Sequence, residues 1–351
     1  MTHTSSLGAM RTVSVAESEV DVLADVSASA SEVTEHYSSR GETGRGARSL
    51  GDAETLRRLN NWVKSVLIQN FCLNSSLPFI LDICGGKGGD LNKWEAQNIA
   101  LLVLADGARE SVVQATERVR KIKPSFPCRF VAADCFRVRL SSIPRLYAPR
   151  LQFDLVSCQF ALHYSFETED RARALLVNVA ERLKPDGFFI GTIPDANVLV
   201  RKARESGGKF GNDKYEVKFE GDLNFDADKP FGIKYWFRLN QAVDDCHEYL
   251  VHFPTFQALA LEYGLELVLK QNFHKFIVNN LNDQTIRLID ILNVFQKGVT
   301  VQASEWEITY VYMAFAFRKK SREAPLLDFE KNDLVLEANR DGPMFFDVSG
   351  I

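Results

Sequence analysis

The chain has 351 residues, 46% of them hydrophobic, and a formal net charge of −4. That is enough apolar material for one large core or two modest ones, and the charge balance excludes a protein that grips long nucleic acid chiefly through phosphates. No apolar run approaches membrane-spanning length and no apolar leader follows Met1, so a soluble, intracellular protein with no membrane partner is expected.

Six cysteines (Cys72, Cys84, Cys128, Cys135, Cys158, Cys246) lie scattered with no C-x-x-C pair. The pattern argues against a metal site and a disulfide framework, and for a reducing compartment. Charge is unevenly spread. Residues 1–50 carry seven acids and four bases, and residues 321–351 seven acids and three bases. The 32 acids and 35 bases between them leave residues 51–320 mildly basic, which suits a partner engaged at one small site.

Residues 1–50 are rich in Ser, Ala, Glu and Gly and read as a disordered N-terminal extension. From Glu54, the residues Leu56, Leu59, Trp62, Val63, Val66 and Leu67 recur at helical spacing, with Asn60, Asn61 and Lys64 on or beside the polar side. A buried strand then ends in Ile80-Leu81-Asp82-Ile83 and runs into the glycine-rich turn Cys84-Gly85-Gly86-Lys87-Gly88-Gly89-Asp90 before a helix with Leu91 and Trp94. Such a loop lets backbone N–H groups approach a ligand closely. A phosphate-binding P-loop would need Ser or Thr after Lys87, and a dinucleotide fingerprint would need G-x-G-x-x-G spacing. Neither is met. A loop around the methionine part of S-adenosylmethionine remains, beside the plainer reading of a turn that serves only packing.

Strands Leu101–Asp106, Arg129–Asp134 and Phe153–Cys158 follow, separated by a helix from Glu110 to Lys121 that stops before Pro124. A helix from about Thr168 to Leu183 reaches the stop-and-turn sequence Lys184-Pro185-Asp186-Gly187, after which Phe188–Pro194 reads as a strand. Apolar strands alternating with helices predict a parallel sheet covered on both faces, with ligands beyond the carboxyl ends of its strands. Asp82, Asp106, Asp134 and the Gln159–Tyr164 segment all fall at such ends. Asp106, 24 residues after Asp82, can take both hydroxyls of a ribose, and Asp134 is placed to reach an adenine edge.

From about Gly207 the pattern breaks. Phe210–Phe219 and Phe231–Leu239 read as two antiparallel strands of an inserted region, 207–260. A helix near Phe256–Tyr263 and a strand Leu265–Phe273 return to the sheet, 279–297 is a helix or a mobile excursion, and Thr309–Phe317 is expected as a closing edge strand. Residues 321–351 read as an irregular acidic tail.

Asn60-Asn61-Trp62-Val63-Lys64-Ser65, the Gly-Gly-Lys-Gly-Gly-Asp loop, Ser157-Cys158-Gln159-Phe160-Ala161-Leu162-His163-Tyr164-Ser165-Phe166 and Ser304-Glu305-Trp306-Glu307 together resemble the eukaryotic mRNA cap guanine-N7 methyltransferases. The resemblance runs from roughly Glu54 to Lys319. It implies a Rossmann-like class I methyltransferase domain over 51–320, with a mostly parallel seven-stranded α/β sheet and an inserted antiparallel cap-binding substructure. It also implies methyl transfer from S-adenosylmethionine to N7 of the guanosine that caps mRNA. Carried over by position, Lys64, Asp82, Cys84, Gly85, Gly86, Asp106, Asp134, Gln159 and Tyr164 would hold the methyl donor. Asn60, Asn61, Lys87, Arg118, His163, Glu248 and Tyr312 would hold the cap. No catalytic acid or base is expected, because N7 of guanine carries a lone pair and no proton. The resemblance further implies nuclear residence, a monomer, and capped mRNA as partner, with capping enzyme, RNA polymerase or an activating subunit as further partners. Two other readings share the fold: a methyltransferase for another small or protein substrate, and a non-catalytic binding subunit.

One departure from the family pattern stands out. Cys84 occupies a position where the family has Gly. Its side chain would either crowd the donor or need a positive φ, unless the turn shifts onto Gly85.

Overall fold

Leu56, Leu59, Trp62, Val63, Val66 and Leu67 all lie on one face of helix α1 (Glu54–Cys72) and are buried to 2% exposure or less. The Trp62 indole also donates to the Thr285 carbonyl at 2.8 Å, a buried bond that locks the helix to a later part of the chain. The computed structural model describes residues 54–72, 76–143, 146–148, 150–221, 223, 225–226, 228–239, 243–294, 301–320 and 344–347. The expected N-terminal extension, and most of the expected acidic tail, lie outside the described residues.

The main sheet is built from β1 (Phe79–Ile83), β2 (Leu101–Asp106), β3 (Cys128–Ala132), β4 (Phe153–Gln159), β5 (Leu183–Pro194), β10 (Leu265–Asn272) and β11 (Tyr312–Lys319), with an eighth strand, β12 (Met344–Asp347), on its edge. Its order is β10-β11-β5-β4-β1-β2-β3-β12. The pairs β1–β2, β1–β4, β2–β3 and β4–β5 are parallel, while β10, β11 and β12 enter antiparallel. Helices α2 (Leu91–Glu95), α3 (Arg109–Ile122) and α4 (Glu169–Ala180) make the crossovers. Side-chain alternation divides the strands between two cores. Ile80, Leu102, Leu104, Phe130, Leu155 and Ile190 belong to one face; Leu81, Ile83, Val103, Ala105, Val131, Val156 and Phe189 belong to the other. Burial on both faces explains why these strands read as continuous apolar runs.

Several boundaries differ from the sequence reading. The strand at the chain's expected closing edge, β11, lies inside the sheet, because β10 pairs along its outer side. Lys184–Gly187 does not end a helix before a strand. Helix α4 stops at Ala180, and the tetrapeptide forms an irregularity within β5, with Asp186 at φ 61° and the register shifting between Phe153 and Leu155. The span Phe210–Phe219 is a hairpin, β6 (Lys209–Gly211) and β7 (Tyr215–Phe219), turning at Asn212–Lys214. With β8 (Lys234–Leu239) and β9 (Val243–Tyr249) it makes a separate four-stranded antiparallel sheet, β6-β7-β8-β9. Helices α5 (Ala196–Ser206) and α6 (Phe253–Glu262) flank this insert, and α7 (Phe273–Asn279), α8 (Asp283–Ile291) and α9 (Ala303–Thr309) follow β10.

The switch point lies between β1 and its two neighbours, β2 and β4. The carboxyl ends of these strands carry the glycine turn, Asp106 and Gln159. Gly191, in the middle of β5, holds the adjacent strands close: a Cβ there would lie 2.4 Å from the Cys158 carbonyl oxygen and 2.5 Å from the Phe315 ring. Gly191→Ala is expected to lower unfolding stability by about 1–3 kcal/mol through overpacking, measurable by denaturant titration.

Candidate active site

A cavity of about 850 Å³ opens at the carboxyl ends of the parallel strands, a volume within the roughly 300–1,000 Å³ range of small-molecule sites. It is lined by Lys64, Asp82, Cys84, Gly85, Gly86, Lys87, Asp106, Asp134, Gln159 and Tyr164, the whole expected donor set together with Lys87. Asn60, Asn61, Arg118, His163, Glu248 and Tyr312 are not among the lining residues. Asn61 accepts from the Lys93 ammonium at 2.9 Å, and Arg118 is half-buried on α3. Tyr312 packs edge-on behind Phe160 at 5.1 Å, and Phe160 itself faces the cavity.

The glycine turn is held from below. Gly85 N–H donates to the Ala105 carbonyl, and the Asp106 carboxylate accepts from the N–H groups of Gly86 and Ala108, each at 2.8 Å. Each carboxylate oxygen keeps a further lone pair for a ligand hydroxyl. Gly85 is required for space, since a Cβ would lie 2.6 Å from Leu104 Cγ and 3.0 Å from Asp82 Oδ2. A Cβ on Gly86 would meet nothing within 4 Å, so the turn faces open space there. This cradle fits a donor laid across it.

The turn does not shift onto Gly85. Cys84 itself takes the left-handed conformation, φ 58°, at a cost of order 1–2 kcal/mol for a residue with a Cβ. Phe160, at the end of β4, does the same at φ 55° and is held by bonds from its N–H to Thr192. Asn98, Lys123, Asp186 and Asn293 also have positive φ, but Asn and Asp tolerate it and Lys123 caps a helix. Cys84 and Phe160 have no such excuse, and both line the cavity.

Sequence reasoning missed the charge cluster behind the turn. Asp90, 6% exposed, pairs with Lys64 at 2.7 Å and with Lys93 at 2.6 Å. Burial opposes ionisation of Asp90, but the two ammonium groups prevail and hold its carboxyl well below the usual range. Burial, then the charge of Asp90, push neighbouring Asp82 up to about 7, although the Trp94 indole donates to it at 3.4 Å. Asp134 accepts from Phe136 N–H and faces Arg171 at 3.4 Å. Gln159 is fixed by Ser157 and Thr192, both at 3.1 Å. Along the wall, the Tyr164 hydroxyl meets Cys246 Sγ at 3.6 Å. Behind it Glu248, 6% exposed, accepts from the Tyr235 hydroxyl at 2.6 Å, and its other oxygen lies 3.5 Å from His163 Nε2. Neither ring nitrogen of His163 makes a hydrogen bond among the described residues.

Two consequences are testable. Asp90→Asn removes the carboxylate paired with both ammonium groups and leaves only the more distant Asp82 to face them, which should cost up to about 3–5 kcal/mol of stability, seen in chemical unfolding. The second concerns pH. The folded protein keeps the Asp82 proton up to about pH 7, whereas an unfolded chain releases it near pH 4. Folding therefore takes up a proton between these values, and stability falls as pH rises through that window. Asp82→Asn removes the effect. In donor-free protein its stability should exceed the parent's by a margin that widens from about pH 4 to about pH 7, reaches at most about 4 kcal/mol, and then levels. A constant gap in melting temperature across that range would refute it.

The mRNA (guanine-N(7))-methyltransferase domain model matches residues 24–320. An mRNA cap guanine-N(7) methyltransferase 1 of Oryza sativa subsp. japonica is 42% identical over 310 residues, covering 84% of this chain and 82% of its own length. An mRNA cap guanine-N(7) methyltransferase of Schizosaccharomyces pombe is 40% identical over 299 residues, covering 82% of each. Among solved structures, an S-adenosylmethionine-dependent methyltransferase from Clostridium acetobutylicum aligns with a TM-score of 0.43 at 13% identity, over 78% of this chain and 94% of that one. The chain belongs to the mRNA (guanine-N7)-methyltransferase family.

Proposed function

We propose that the cavity takes S-adenosylmethionine across the glycine turn, that a cap guanosine binds at its wall on the side of Glu248, and that the protein methylates N7 of the guanosine that caps mRNA. The observation that carries this reading is the conjunction of one donor-sized cradle, Gly85–Gly86 with Asp106, and one buried carboxylate, Glu248, directly behind the cavity wall. Bound S-adenosylmethionine supplies an electrophilic methyl group.

The remaining work falls to this chain's own side chains. Asp106 accepts the ribose hydroxyls, Asp134 lies toward the adenine, and Lys64, beside Asp82 and Asp90, meets the amino-acid end. The Cys84 backbone, Gln159 and Tyr164 complete the donor wall. On the acceptor side Glu248 accepts from the N1–H and N2 amino edge of guanine, an edge adenine lacks. His163 and Tyr312 stand beside the base, while Asn60, Asn61, Lys87 and Arg118 face the ribose and the triphosphate bridge. N7 needs no deprotonation. Catalysis consists of aligning N7 with the methyl–sulfur bond and excluding water, helped by carboxylates near the positive charge that passes to the purine. The same reading places the protein in the nucleus as a monomer, near capping enzyme, RNA polymerase or an activating subunit.

Methyl transfer to a GpppA-capped RNA, followed by digestion, should yield 7-methylguanosine as the labelled product; label elsewhere would sink the proposal. Glu248→Gln should lose at least about tenfold in kcat/KM on that RNA, while donor binding by calorimetry stays near the parent's. Unchanged turnover would remove Glu248 from the acceptor site.

A further inference from the structure

The hairpin β8–β9 has two faces with different occupations. Tyr235, Phe237 and Glu248 point inward and are 1%, 3% and 6% exposed. The alternate residues Lys234, Trp236, His247 and Tyr249 line the cavity, joined from the inward row by Cys246 alone. They are paired across the strands, Lys234 opposite Tyr249 and Trp236 opposite His247. Alternation thus sets three aromatic rings and an ammonium group side by side on one surface. The Lys234 ammonium sits 5.8 Å over the Tyr249 ring, and the Trp236 and His247 ring centres are 3.4 Å apart at 40°.

This surface belongs to the rim of the cavity. Lys234 is exposed and Trp236 half-buried, whereas Asp82 and Gly85 lie on the strand-end floor. The indole is held in place from its edge, where Nε1 donates to Glu220 at 3.1 Å, and Glu220 is held in turn by Lys218 at 3.3 Å. A fixed aromatic surface, half-buried at Trp236 and His247 and backed by the buried Tyr249, with a cation beside it, suits a nucleobase and its phosphate, because stacking is tolerant of base identity and little side-chain freedom is lost on binding. The donor fits poorly here. It carries a sulfonium cation, which an ammonium repels, and its polar groups have partners on the floor. The capped RNA end is anionic and must leave through the rim.

Resting on the reading above, we propose that Trp236, His247 and Tyr249 form a stacking platform for the first transcribed nucleotide, the one joined to the cap guanosine through the triphosphate, with Lys234 beside its phosphate. This gives the enzyme a grip on RNA that does not depend on sequence and that a free guanosine triphosphate cannot use.

The test compares GTP with GpppA as methyl acceptors for the full chain; both offer guanosine and a triphosphate, and only GpppA carries the following nucleoside. Trp236→Ala should lower the ratio of kcat/KM for GpppA to that for GTP by about tenfold, and Trp236→Phe should restore most of it. As a readout independent of turnover, a GpppN dinucleotide with 2-aminopurine riboside in the second position should be quenched on binding to the parent and much less by Trp236→Ala. Equal losses on both acceptors, a raised KM for S-adenosylmethionine alone, or an unquenched fluorophore in the parent would each overturn the platform. A parent that methylates neither acceptor would instead overturn the proposed reaction, with the quenching still reporting on stacking.

Discussion

Lys64 and Lys93 reach the buried carboxylate of Asp90 from two different helices, and the organisation of the cavity floor follows from that contact. Asp90 closes the glycine turn; Lys64 comes from the helix that precedes the sheet; Lys93 comes from the short helix after the turn. One carboxylate thereby ties the turn and the helix that follows it to Lys64, more than twenty residues earlier in the chain. Its low dielectric setting makes the arrangement stiff, because any displacement leaves a charge unpaired. Burial first, and then the charge of Asp90, raise the second carboxylate, Asp82, to about 7, since two anions in one buried site are not both matched. The Lys64 ammonium has three donors and lines the cavity, so it can serve the floor and a ligand carboxylate together.

Strain is distributed by the same logic. The turn puts Cys84, Gly86 and Gly88 in the left-handed region and needs an absent side chain at Gly85. Cys84 sits at φ 58°, and Gly85 has Leu104 where its Cβ would be. Gly86 and Gly88 follow the general liking of glycine for positive φ, but the Cys84–Gly85 pair reverses it, because space is worth more there than backbone comfort. A Cβ 2.6 Å from Leu104 Cγ forces that fully buried side chain to repack, whereas an αL cysteine costs of order 1–2 kcal/mol. The Cys135 contact favours the Cys84 thiolate, but the Cys158 contact and then burial prevail and hold the thiol well above its usual range, so the side chain packs as a small hydrophobe instead of acting as a nucleophile.

These features explain which parts were legible in the sequence. Strands closing on Asp82, Asp106 and Asp134 could be read because both faces are buried, which leaves apolar runs ending in a conspicuous acid. Strand β9 could not: Val243–Tyr249 contains Asp244, Asp245 and Glu248, and only pairing with β8 makes such a polar segment a strand. The four residues of β12 are too few to carry a period and depend on β3 for their pairing. The Asp90 cluster was hidden because Lys64 and Asp90 meet only in the folded chain. Likewise the alternation of β8 divides Trp236 from Tyr235 and Phe237, but does not say that the outer face borders a cavity and not open solvent.

The two sheets touch directly where the Phe237 ring meets Tyr312, and they are also bridged by one short segment, the 3₁₀ turn Leu162–Glu167. Leu162, His163, Tyr164, Ser165 and Phe166 are all buried there. Each contact across the junction comes from a different residue: His163 faces Glu248, the Tyr164 hydroxyl meets Cys246, and the Phe166 carbonyl accepts from Gly232 N–H at 2.9 Å. The donor cradle hangs from the parallel sheet and the proposed guanine-reading carboxylate from the inserted one. A methyl transfer that uses no acid or base depends on the relative placement of the two. On the proposed reading this turn carries the geometry of the reaction, and its burial keeps the segment that sets the approach of N7 to a methyl group from moving with solvent.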